Sequence, residues 1–133
     1  MMEPTQTLAV IALASLVTVE YGGWALLSYL TARPGLTGTQ KQFFRAGHAH
    51  AGVLLVLALV YFRYLADTGF SRATRWVVGL VLLSGILVQS GGFFAHLAVG
   101  APESPSVGTR LTRLGAVLIA AALVTLAIGV GKA

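Results

Sequence analysis

Four stretches of this chain are apolar over a length that matches a lipid bilayer, and that leaves few folds open. They cover roughly residues 7–30, 47–65, 76–99 and 114–130. A spanning helix needs about 20 predominantly apolar residues, so each stretch suffices. Composition points the same way, because 56% of the residues are hydrophobic and only 10% are charged. A water-soluble surface normally draws on about a quarter of its residues being charged. The mean hydropathy of +0.84 agrees. The expected fold is all-α: one membrane domain over residues 1–133, a polytopic four-transmembrane-helix bundle with neither a soluble domain nor an internal repeat.

A net charge of +5 and a pI near 10.3 raise the question of nucleic acid. The basic residues, however, sit singly at segment ends, where lysine and arginine meet phosphate head groups. The lipid bilayer, not nucleic acid, is the expected partner, alongside a homo-oligomer or a larger membrane complex. The absence of cysteine removes disulfides, thiolate metal sites and thiol redox chemistry. The start, Met1-Met2-Glu3-Pro4, lacks the positive region of a signal peptide, and the apolar run behind it is too long for a signal core, so helix 1 is expected to be retained.

Glycine and proline within 31–39 stop helix 1 and open a basic first loop with Arg33, Lys41 and Arg45. A short turn at Asp67-Thr68-Gly69 makes helices 2 and 3 antiparallel neighbours. Residues 100–108 form the other polar connection, so the connections on the loop 1 and loop 3 side are expected to be the longer ones. Tyr61, Phe62, Tyr64 and Trp76 fall together near the opposite interface and read as an aromatic belt. Helix 1 has no Lys or Arg before it and three after it, which places both termini outside and loops 1 and 3 in the cytoplasm of a bacterial inner (plasma) membrane.

Polar side chains inside the apolar segments narrow the search for a site. Glu20, His48, Gln89, His96 and Arg113 all fall toward one membrane face. Titratable groups in hydrocarbon are costly and mark functional paths. Glu20 lies roughly 15 Å from the loop 1 end of helix 1, near the midplane, and Gln89 lies at similar depth in helix 3. His48 and His50 are expected just below loop 1, His96 just above loop 3, and Arg113 one turn into helix 4. Gln89, Phe93 and His96 share a face, with Gly85 and Gly92 beside it to admit a neighbouring helix. His48 and His50 are about 200° apart on a helix, so one ring faces inward. His48, sharing its stripe with Gly52 and Leu55, is the inward candidate, and His50 is placed at the interface. Side chains of Glu20, His48, Gln89 and His96 should therefore converge, with Arg45, Arg110 and Arg113 as snorkelling anchors.

Such a cluster supports three chemistries. Imidazoles and a carboxylate from His48, His96 and Glu20, with His50 in reserve, can hold Cu or Zn through nitrogen and oxygen. Two histidines on different helices can ligate a haem iron, with Gln89, Arg45 and Arg113 in support. A carboxylate reached by a polar lane suits proton or cation movement. The first two make the chain a metal- or haem-binding protein, accessory to a redox or transport assembly; the third makes it a proton- or cation-coupled small transporter acting as a dimer. A structural membrane subunit is the remaining alternative. Enzymatic activity is left open, but no nucleophile with a paired base and no phosphate loop is present.

The string Gln42-Phe43-Phe44-Arg45-Ala46-Gly47-His48-Ala49-His50-Ala51-Gly52, with Glu20-Tyr21-Gly22-Gly23, resembles a motif of small uncharacterised bacterial four-helix membrane proteins. The histidine-bearing helix entry also resembles haem-ligating helices of haem-copper oxidase relatives. That likeness covers about a dozen residues and lacks the further histidines of those enzymes, so it implies no ligand assignment. Four short helices with a carboxylate in the first are similar in architecture to the small multidrug resistance transporters. The polar loops, the three histidines and the surroundings of Glu20 depart from that pattern.

Overall fold

The computed structural model describes residues 2–32, 37–99 and 104–132. The chain forms four helices, α1 (Pro4–Ala32), α2 (Gly38–Ala66), α3 (Arg72–Val99) and α4 (Val107–Val130), with no strand among the described residues. All four are long and apolar enough to cross a membrane, which marks an integral membrane protein. At about 1.5 Å per residue they measure roughly 36 to 43 Å, so their ends extend beyond a hydrocarbon core of about 30 Å.

Two helices begin well before their apolar stretches do. Thr37 caps α2: its hydroxyl accepts from Gln40 N at 3.2 Å, and Gln40 Oε1 accepts from Thr37 N at 3.0 Å. Ser106 and Thr109 make the same reciprocal pair at the start of α4. These capping boxes satisfy backbone donors that a helix start leaves open. Helix 2 therefore starts at Gly38 instead of near Gly47, and helix 4 at Val107 instead of near Leu114. Hydropathy marks where a chain can enter lipid, whereas the caps mark where it becomes helical. Residues 33–37 join α1 to α2 and residues 67–71 join α2 to α3, so the first connection is not longer than the turn on the other side. The loop positions 33–36, including Arg33, and 100–103 lie outside the described residues.

Helices α3 and α4 make the most extensive pairing, followed by α2 with α3 and α1 with α2, while α1 and α4 do not pack together. Buried Gly108, Gly115, Ala122 and Gly129 recur every seven residues along α4; Gly108 and Gly115 meet α3 at Gly92 and Gly85, while Gly129 faces Phe70 and Thr68 at the α2–α3 turn. A Cβ at Gly92 would lie 2.6 Å from Thr112 N and 2.7 Å from Gly108 O, and one at Gly115 would lie 2.6 Å from Gln89 Cα. Backbone therefore rests on backbone, the contact that small residues permit between membrane helices.

The densest packing lies toward the α2–α3 turn, where Leu8, Tyr61, Phe62, Leu65 and Leu82 are fully buried. The Tyr61 hydroxyl donates to Ala122 O at 3.1 Å and ties α2 to α4. This corrects the aromatic-belt expectation: Tyr61 and Phe62 are 1% and 2% exposed, and Trp76 packs partly buried against the same core. Tyr64 alone of the four points outward. Aromatic clustering in sequence carries no direction, and a buried tyrosine is tolerated once its hydroxyl finds a partner. The turn is fastened by Arg63 on Asp67 at 2.7 Å and by Arg75 Nη2 donating to Thr68 O at 2.7 Å.

Candidate functional site: a groove between the first two helices

Because α2 begins at Gly38, His48 lies about 15 Å along that helix from its start, deeper than expected, and Glu20 lies about 18 Å from the end of the antiparallel α1. The two are at matching depth. Both line a groove of about 410 Å³ between α1 and α2, together with Leu16, Val19, Ala49, Gly52, Val53 and Val56. Ala49 and Gly52 keep its α2 side shallow. The His48 ring lies against Gly23, one turn from Glu20; a Cβ there would come 2.9 Å from His48 Nε2. Gly23 thus makes the seat for the imidazole, the role its place beside Glu20 in the sequence left unread.

Glu20 is exposed and His48 half-buried. Neither makes an ion pair or hydrogen bond with any described residue, and no Lys or Arg is among the described residues that line the groove. A carboxylate and an imidazole therefore face the same opening without being spent on each other. Proton exchange or coordination of a small cation are the chemistries that such a pair can perform.

The other two histidines lie on the opposite side of α2. His50 packs on Phe93 of α3 with ring centroids 4.8 Å apart, and its Nδ1 donates to Ala46 O at 2.8 Å. His96, 5% exposed, packs against Phe43 with ring centroids 4.4 Å apart and planes tilted by 46°, and its Nδ1 lies 2.7 Å from Ser106 Oγ at the cap of α4. Phe43 and Phe93 complete the row at 6.4 Å. His96 is only about 5 Å from the end of α3, so it is shallower than His48 as well as on another face.

The expected convergence of Glu20, His48, Gln89 and His96 is therefore corrected. Glu20 and His48 come together; His96 does not join them, and His50 turns toward α3 instead of the interface. The helical period separates His48 from His50, and a bundle in which α2 has neighbours on two sides gives each ring its own. Gln89 contributes backbone: its carbonyl accepts from Thr112 Oγ1 at 3.4 Å in the α3–α4 seam. Arg45 and Arg113 are exposed. Among the described residues, no group of three or more His, Asp or Glu side chains is placed to hold a metal ion.

Sequence reasoning missed Phe43 and Ser106 as the partners of His96. The reciprocal Ser106/Thr109 spacing was the available signal for the latter. It also missed a cleft of about 490 Å³ bounded by α1, α2 and α3, where the buried Ser90 hydroxyl has no hydrogen-bond partner among the described residues. No protein-family model matches the chain, and no curated protein or solved structure shows significant similarity to it.

Proposed function

We propose that this protein takes up a proton or small cation at Glu20 and His48 and works in proton- or cation-coupled transport. The observation that carries the reading is the shared groove: two titratable groups at one depth, unpaired among the described residues, in an opening whose described lining holds no Lys or Arg. Glu20 is the coupling group, which gains and loses charge with occupancy. His48, seated on Gly23, supplies the neighbouring base that accepts or returns a proton. In this reading both termini face outward across a bacterial inner membrane, with the groove approached through the leaflet nearer loops 1 and 3.

The test is reconstitution into liposomes carrying a pH-sensitive dye, with an imposed proton or sodium gradient. The parent should dissipate the gradient, Glu20→Gln should lose at least tenfold in rate, and His48→Gln should lose a similar or smaller amount. Equal rates in the parent, both variants and empty liposomes would end the proposal.

Binding of a metal or haem is the second reading, and one observation favours it. The Nδ1 atoms of His50 and His96 are held by Ala46 O and Ser106 Oγ, which orients each ring and leaves its other nitrogen uncommitted, as metal-binding imidazoles commonly are. A visible spectrum and elemental analysis of the purified protein test this directly. A haem band or stoichiometric Cu or Zn that disappears in His50→Ala and His96→Ala supports it, and a colourless, metal-free protein removes it.

A further inference from the structure

We infer that the α1–α2 groove is closed by a second copy of this chain, whose α1 lies in it so that Glu20 of each copy faces the partner's His48. This rests on the same groove as the proposed transport site, although not on transport itself.

Three observations lead there. Glu20 is exposed on the outer side of the bundle near the middle of α1, and it has no partner in its own chain among the described residues. A carboxylate left against hydrocarbon at that depth is costly, and such groups face protein or water instead. Next, α1 is the least integrated helix. Only 11% of its apolar window is buried inside the chain, against 39% for α3. It has no contact with α4 among the described residues, and Val10, Leu13, Val17, Tyr21, Trp24 and Leu27 form a long outward stripe.

The groove itself is self-complementary. Its floor of Ala49 and Gly52, walled by Val53 and Val56, admits a helix closely. Its two polar groups are an acid and a base that do not bond to each other. A twofold axis brings the acid of one copy to the base of the other, twice, because in such an interface residue i meets j and j meets i. A different membrane protein would need its own matching pair; a second copy carries it already.

The chain has no cysteine, so introduced thiols report cleanly. Chains carrying Val17→Cys, exposed on α1 one turn from Glu20, and chains carrying Val53→Cys, exposed on the α2 side of the groove, are reconstituted together in phosphatidylcholine and phosphatidylglycerol vesicles and oxidised. Cross-linked pairs should form at least tenfold more than with Val117→Cys, which is exposed on α4. Ala49→Leu and Gly52→Leu, which fill the floor, should shift the parent from dimer to monomer by mass measurement in lipid nanodiscs, with helical content kept.

A monomeric parent, or cross-linking no greater than the Val117→Cys control, overturns the inference. So does a purified monomer whose groove thiols cross-link only to a different protein in native membranes. These results are separable from transport: a dimer that moves no ions removes only the proposed function, and a monomer that moves them removes only the dimer.

Discussion

Placing a carboxylate near the centre of a membrane helix costs about 3 kcal/mol on insertion scales, so Glu20 needs an answering group. His48 lines the same groove, and its ring is seated by an absence, the missing side chain of Gly23. Alanine there would push against Nε2, at the far end of a side chain that can rotate. Gly23→Ala should therefore cost less than about 1 kcal/mol in thermal or denaturant unfolding, at or below the low end of overpacking costs. It should nevertheless reduce proton or cation uptake as His48→Gln does. Unchanged uptake would show that the imidazole's seat on α1 has no bearing on the site.

At the scale of elements, the pairing of α3 and α4 has little freedom. Along the seam at Gly85, Gly92, Gly108 and Gly115, an added Cβ meets backbone atoms of the facing helix, which cannot swing aside. Gly115→Ala should destabilise the protein by about 1 to 3 kcal/mol, the range for overpacking, and separate the two helices. Gly22 is the control, since nothing lies within 4 Å of its Cβ position. Gly22→Ala should be neutral or stabilising by about 0.5 to 1 kcal/mol, the helix penalty of glycine. Unfolding followed by circular dichroism in one detergent compares them, and equal effects would show that the seam does not hold the bundle together.

Over the whole molecule, the two ends have different occupations. Dense packing lies near the α2–α3 turn, while Glu20 and the three histidines, with Phe43 and Phe93 beside two of them, lie toward loops 1 and 3. Tyr61→Phe removes the hydroxyl bond that joins α2 to Ala122 of α4 and should lower stability by about 1 kcal/mol, the net worth of one hydrogen bond. Ion uptake at the Glu20 groove should stay at the parent rate. A matching loss of uptake in that variant would mean that the two ends are coupled.

Fold class was legible in the chain because hydrocarbon imposes one rule on length and apolarity, and four segments obey it. Polar exceptions were legible for the same reason: Glu20 and the three histidines stand out against that background. Their grouping was not. Periodicity says that His48 and His50 face apart, but it does not say which helix waits on either side of α2. Aromatic residues such as Tyr61 and Phe62 gave no sign of direction, since the same side chains suit an interface or a core. The sequence by itself determined four membrane-length helices and the residues able to do chemistry within them. Only the tertiary structure decided that Glu20 shares a groove with His48 and not with His96, because the choice depends on the order in which helices pack, and one helix's repeat does not contain it.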